Sequence, residues 1–233
     1  MMKKKPFLHN RLVRLWGNPT DDKLKKFYGS HGLFNSTDDA QNLVKYGSYL
    51  ITKGNKLRLK SEPYDPLRGL NNFIEAIEGE ILFYVGVEYF IKGIYLHEGY
   101  TINELKSGGW SLIRLKNNKT KLNPERTAKL SSLLDNLPKI INFDDFDKDQ
   151  AKKNKKDRGK PSKGTLSNNY KHPGHKELLR FIRFNRNVQL HTSKKVPEFR
   201  GNIDEVNELL EIVATQSTGK SIKELANLDI VYF

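Results

Sequence analysis

One stretch, residues 80–98, limits how this chain can fold more than any other. It reads EILFYVGVEYFIKGIYLHE and is rich in β-branched and aromatic residues, with Gly86 and Gly93 inside it. Such residues favour strands, and a glycine inside a strand marks a bulge or a turn. The stretch therefore predicts two or three strands of a central sheet.

The segments around this stretch predict a mixed fold. Residues 68–78 have apolar side chains at helical spacing and stop before Gly79, which predicts an amphipathic helix. Residues 43–60 predict a β-hairpin, residues 109–116 a further strand and residues 203–215 a further helix. The predicted fold class is α+β, a mainly antiparallel, curved sheet with flanking amphipathic helices and a basic flexible loop.

The sequence predicts three regions. Residues 1–143 would form the α+β core, and residues 144–174, which are polar and charge-dense, would form a flexible loop. Residues 175–233 would supply a basic segment and C-terminal helices that complete the same domain.

The positive charge is concentrated in one part of the chain. Residues 152–200 contain fifteen Lys or Arg and three acidic residues, and the whole chain has a formal net charge of +14. Lys and Arg make the phosphate contacts that dominate affinity for nucleic acid. Two other bands are also basic, residues 1–60 with a net charge of +9 and residues 105–143 with +6. If the three bands meet in the fold, they would form one cationic face. The alternative is that the high positive charge reflects only a generally lysine-rich composition.

The expected partner is nucleic acid, with double-stranded DNA favoured over RNA, and a homodimer would suit palindromic sites. The predicted nucleic-acid-binding residues are Arg68, Lys152, Lys153, Lys155, Lys156, Arg158, Lys160, Arg180, Arg183 and Arg186.

Four residues are candidates for catalysis. Tyr64 lies in the loop SEPYDPLRG, which two prolines stiffen, and His191 ends the basic segment, where a phosphate or a flipped base would lie. Glu88 and Lys92 are four residues apart, so on a strand they would share one face. Solvent-exposed strand charges are the plainer interpretation of this pair.

The sequence shows no established nuclease or metal motif. The PD-(D/E)xK and HNH patterns are absent, and His172-Pro-Gly-His175 has no third ligand at a diagnostic spacing, so no metal site is predicted. The first functional hypothesis is a compact restriction-type enzyme that cleaves phosphodiesters or excises bases in double-stranded DNA. No cofactor is expected, except Mg²⁺ if the reaction is hydrolysis. The alternative is a non-enzymatic nucleic-acid-binding protein, associated with RNA or the ribosome.

Other features bear on location and on nucleotide binding. The chain has no cysteine, no apolar run of 18 residues and no secretory signal pattern, which predicts a cytoplasmic protein without a membrane partner. The segment ATQSTGKS at 214–221 loosely resembles a phosphate-binding loop. Ser221 and Glu224 are better explained as the cap of a short helix.

Overall fold

The computed structural model describes residues 37–60, 70–114, 121–157, 172–191 and 202–227. Within these ranges 74% of the residues are helical and 7% are in strands. The fold is therefore mostly α-helical, and the predicted α+β class with a mainly antiparallel sheet is wrong.

Seven α-helices and two short strands follow one another in the described ranges. They are α1 (Thr37–Lys60), α2 (Leu70–His97), β1 (Asn103–Leu105), β2 (Leu122–Thr127), α3 (Leu130–Asn136), α4 (Asp144–Lys156), α5 (His175–His191), α6 (Ile203–Thr218) and α7 (Ile222–Ala226), with a 3-10 turn at Leu137–Lys139.

The two long helices, α1 and α2, pack as an antiparallel hairpin through glycines. Gly79, Gly86 and Gly93 lie seven residues apart on α2, so they share one face of the helix. A Cβ added at Gly86 would lie 2.7 Å from the backbone nitrogen of Ile51, and one at Gly93 would lie 2.6 Å from that of Val44. The helix backbones are therefore in direct contact, and any side chain at these positions would separate them.

This contact explains why residues 80–98 are not strands. β-Branched and aromatic residues are mediocre helix formers, but tertiary packing routinely overrides such preferences. Glycine at every seventh position suits a helix that packs closely against another, and here the glycines are neither bulges nor turns. The predicted hairpin at 43–60 is wrong for the same reason, because Gly47 and Gly54 are α1's half of the contact.

The core is built around α2, which also contacts α3, α5 and α6. Fully buried apolar side chains from five helices meet there: Ile51, Phe83, Phe90, Ile94, Leu133, Leu178, Ile182, Leu209 and Val213 among others. Tyr95 is buried with them, and its hydroxyl donates a hydrogen bond to the Leu133 carbonyl oxygen at 2.6 Å. Even so, no helix in the described ranges is long and apolar enough to cross a membrane.

The sheet is small. Strands β1 and β2 pair antiparallel, with Asn103 opposite Thr127 and Leu105 opposite Leu122. An isolated bridge between Tyr100 and Arg114 is the only strand pairing found in the described part of predicted strand 109–116. The sheet covers one end of α2 and does not form the core.

In the C-terminal half, one prediction is wrong in part and two predictions are confirmed. Residues 144–156, predicted as part of a flexible loop, form helix α4, whereas residues 158–171 lie outside the described ranges. The helix predicted at 203–215 is confirmed as α6. The predicted cap is also confirmed, since Ser221 and Glu224 form a capping box at the start of α7. The three-region division of the chain stays a prediction.

Candidate nucleic-acid interface

The lysines of α4 project from an ordered helix. Lys152, Lys155 and Lys156 are exposed, and Lys153 is half-buried. Lys152 pairs with Asp149 at 3.0 Å, and Lys153 pairs with Glu208 on α6 at 2.8 Å. Exposed pairs of this kind contribute little stability, so these lysines would exchange their carboxylates for phosphates at small cost.

Helix α5 presents a second cationic face. Lys176, Arg180 and Arg183 are exposed and follow the i, i+4, i+7 spacing of one helix face. The opposite face, which includes Leu178 and Ile182, is buried in the core. Because the opposite face of α5 is buried, the helix backbone that carries these outward cations is fixed in position. Arg183 lies 3.7 Å from Asp135 of α3, a loose contact between two exposed side chains.

Three predicted site residues, Glu88, Lys92 and Arg186, meet behind this face. The Nζ of Lys92 lies 2.8 Å from Glu88 Oε1, and the Nη2 of Arg186 lies 2.8 Å from Glu88 Oε2. Arg186 Nε also donates to Oε2 at 3.2 Å, and Lys92 donates to the Thr127 hydroxyl at 3.1 Å. Glu88 and Lys92 lie on helix α2, so they share a face at the helical i, i+4 spacing and not on a strand.

The triad keeps Glu88 ionised. Burial alone would raise the pKa of Glu88, but the hydrogen bond and charge of Lys92, together with Arg186, hold that pKa below its ordinary value. A carboxylate held in this way between two cations ties α5 to α2. The predicted catalytic roles of Glu88 and Lys92 stay predictions, and the observed contact is structural.

Contacts at the start of α5 fasten it to α4. Asp147 of α4 accepts a hydrogen bond from the His175 backbone N–H at 2.8 Å, and its other oxygen lies 2.7 Å from His175 Nδ1. The His175 ring stacks on Phe143, with centroids 5.0 Å apart. His172 Nε2 lies 3.0 Å from Asp157, just beyond the end of α4. Each histidine therefore faces a carboxylate.

Helix α1 adds cations on the other side of α2. From residue 40 to its end it contains four Lys, one Arg and no acidic residue. Lys53 and Lys56 are exposed and Lys45 is half-buried, and Lys53 lies over the Tyr49 ring at 6.0 Å. No residue of this surface is among the predicted nucleic-acid-binding residues, since residues 43–60 were expected to form a hairpin.

Several predicted residues lie outside the described ranges: Tyr64, Arg68, Arg158 and Lys160. His191 is the last residue of α5, and its side chain is not described. Lys152, Lys153, Lys155, Lys156, Arg180, Arg183 and Arg186 all lie on two helices, α4 and α5. The described part of the chain contains no group of three or more His, Asp or Glu side chains placed to hold a metal ion.

A second group of buried polar residues lies on the α1–α2 hairpin. Arg58, Glu80 and Tyr84 are all buried, and burial together with the negative charge of Glu80 raises the pKa of the Tyr84 hydroxyl far above its ordinary value. This tyrosine is therefore neutral and held within the core, where it supports the packing of the two helices.

Comparison with known proteins adds nothing to these contacts. The chain matches no protein-family model, no curated protein and no solved structure at a significant level.

Proposed function

We propose that the protein binds nucleic acid through the outward cationic faces of α4 and α5. The observation that supports this most is the row Lys176, Arg180 and Arg183 on one exposed face of a helix whose other face is buried. Phosphates bind ordered cations at a smaller entropic cost than mobile ones. The α4 lysines would add charge that does not depend on the sequence of the nucleic acid.

The salt dependence of binding tests this proposal. Replacing Lys176, Arg180 and Arg183 together by Gln should flatten the slope of log K against log salt by about 2 to 3, since each lost phosphate contact removes about 0.7 to 0.9. Arg186 stays unchanged in this variant, because it joins α5 to α2. The measurement is fluorescence anisotropy with labelled DNA between low and physiological salt.

A charge-matched variant supplies the control. Lys106, Lys121 and Lys220 are exposed lysines on other parts of the structure, and their replacement by Gln removes the same total charge. This variant should keep the wild-type salt slope. If both variants lose affinity equally, only net charge matters, and the proposed interface is wrong.

A second variant separates α4 from α5. Replacing Lys152, Lys153, Lys155 and Lys156 by Gln should weaken binding to all sequences almost equally. The loss per residue should be smaller than for the α5 arginines, because an ordered guanidinium on α5 is better placed to hold phosphate in a fixed geometry.

Enzymatic processing of double-stranded DNA stays a separate prediction, as do the preference for duplex and the homodimer. Incubation of plasmid DNA with purified protein, with Mg²⁺ or with EDTA, tests it, and alkaline heating of one aliquot reveals abasic sites. If the plasmid stays intact in every lane while binding is salt-sensitive, the protein binds nucleic acid but does not process double-stranded DNA.

A further inference from the structure

Three tyrosine rings lie on the outside of the α1–α2 hairpin. Tyr46, Tyr49 and Tyr89 are 43%, 40% and 37% exposed, among the most exposed large hydrophobic side chains of the described residues. Tyr46 and Tyr89 come from different helices and meet edge to face, with ring centroids 5.4 Å apart. They are anchored on two helices whose backbones touch, so the rings are held without being covered by the described residues.

The surroundings of this tyrosine cluster (Tyr46, Tyr49 and Tyr89) are positively charged. Lys53 lies over Tyr49, and Lys45 precedes Tyr46 on the same helix. An anionic partner with flat apolar rings matches such a surface in both respects. Unpaired bases on a phosphate backbone have these two properties, and aromatic side chains beside cations are how proteins hold single strands.

The tyrosine cluster also lies partly on a helix, α2, that α5 contacts. Tyr89 follows Glu88, and Glu88 contacts Arg186 of α5. Helices in contact have axes about 8–10 Å apart, and α1 and α5 both contact α2, so the axes of α1 and α5 lie within about 20 Å of each other. A strand held at its phosphates by α5 could therefore place its bases on the tyrosines.

We propose that the tyrosine cluster binds unpaired bases, and that the nucleic acid taken by this protein is single-stranded. The inference rests on the proposed function and narrows its ligand. In a duplex the faces of the bases are already stacked on one another, so the tyrosine rings could not reach them. This ligand differs from the double-stranded DNA that the sequence analysis favoured.

The experiment compares two probes and two variants of the full chain. The probes are an oligothymidylate of about 16 nucleotides and a blunt duplex of mixed sequence, both labelled. The first variant combines Tyr49→Ala with Tyr89→Ala, and the second combines Tyr49→Phe with Tyr89→Phe. The Ala variant should bind oligothymidylate at least about 30-fold more weakly, since it lacks two rings and each stacked base contributes about 1–3 kcal/mol. The Phe variant keeps the rings and should bind like the wild type.

Each outcome has a distinct meaning. Weaker binding of oligothymidylate by the Ala variant, with duplex binding unchanged, supports the proposal. Equal losses for both probes, or no loss for either, overturn it. If the wild-type protein binds duplex but not oligothymidylate, this inference fails while the proposed function stands, and if it binds neither probe, the proposed function fails.

Two further measurements complete the test. Thermal unfolding followed by circular dichroism shows whether the variants are folded; if the Ala variant is unfolded, the single change Tyr49→Ala, on α1 alone, replaces it. A poly-glutamate competitor tests the other partner that the charge suits, an acidic polypeptide. Labelled oligothymidylate bound to the Phe variant is challenged with poly-glutamate or with unlabelled oligothymidylate. If the two competitors displace it equally well, the tyrosine cluster binds acidic protein and the proposal is overturned.

Discussion

The α1–α2 hairpin and the α4–α5 pair are held by different kinds of contact. In the hairpin, glycines bring two backbones together along the length of both helices. In the α4–α5 pair, the carboxylate of Asp147 on α4 holds the first residue of α5, that of Asp157 lies beside His172, and that of Glu88 holds α5 against α2. The first kind of contact depends on shape, and the second depends on charge.

This difference separates stability from binding. A close backbone contact tolerates no added atom but is insensitive to pH and salt. The ion pairs of α5 and α4 tolerate small changes of shape, but they respond to protonation and to the loss of one partner. The helices with the proposed phosphate contacts are therefore attached in part by contacts that are easier to perturb, beside the buried apolar face of α5.

The largest effect is expected in the hairpin. Gly86→Ala places a Cβ 2.7 Å from the backbone nitrogen of Ile51 and 2.9 Å from the Gly47 carbonyl oxygen. Overpacking of this kind typically costs about 1–3 kcal/mol, and here no flexible side chain can move aside, so we expect the upper part of that range. Urea unfolding measures the loss in free energy of unfolding.

The matched control for this change is Thr52→Ala, on the exposed side of α1. Alanine is the better helix former, so this variant should be as stable as the wild type or slightly more stable. If Gly86→Ala also proves neutral, the two helices can move apart without loss, and the glycines do not determine how they pack.

The second effect concerns Glu88. Glu88→Gln leaves Lys92 and Arg186 without their charged partner in a half-buried place, which should lower the free energy of unfolding by about 2 kcal/mol at neutral pH. Since the pKa of Glu88 is lowered on folding, its carboxylate stabilises the protein fully above the ordinary glutamate value of 4.5. That contribution is lost as the pH falls through the lowered pKa.

Urea unfolding at pH 7 and at pH 3 therefore tests both the size and the sign. The difference between wild type and Glu88→Gln should shrink at the lower pH. Glu78→Gln is the control, because Glu78 is exposed on the same helix and forms no ion pair within the described residues. A difference that grows with acidification would contradict the assigned pKa direction.

Glu88 also shows how much of the site could be predicted. Residues four apart share a face both on a strand and on a helix, so the shared face of Glu88 and Lys92 was predicted although the secondary structure was wrong. Arg186 lies 98 residues away, and no local spacing brings it to Glu88. The contact requires the packing of α5 on α2, which the sequence pattern alone does not specify.

The sequence of the α1–α2 hairpin contained a pattern that indicates helices, and the pattern was misinterpreted. Gly79, Gly86 and Gly93 recur every seven residues, which is a helical period and not a strand period. The residue composition of the same segment favours strands, but the packing of α2 against α1 stabilises the helix. In contrast, α6 and the cap of α7 depend on local spacing and local hydrogen bonds, so they were predicted correctly.

The smallest effect is expected where α4 meets α5. Asp147→Ala removes the acceptor for the His175 backbone N–H and the partner of its ring, and lost caps and hydrogen bonds of this kind cost about 1–2 kcal/mol. Because Asp147 acts between two helices, amide hydrogen exchange should accelerate most in α4 and in the first turn of α5, with little change in α1 and α2. Asp149→Ala, which removes only an exposed partner of Lys152, should change neither the stability nor the exchange. Faster exchange spread evenly over all the helices would mean that the hairpin and the α4–α5 pair unfold as one unit, and the distinction between them would not hold.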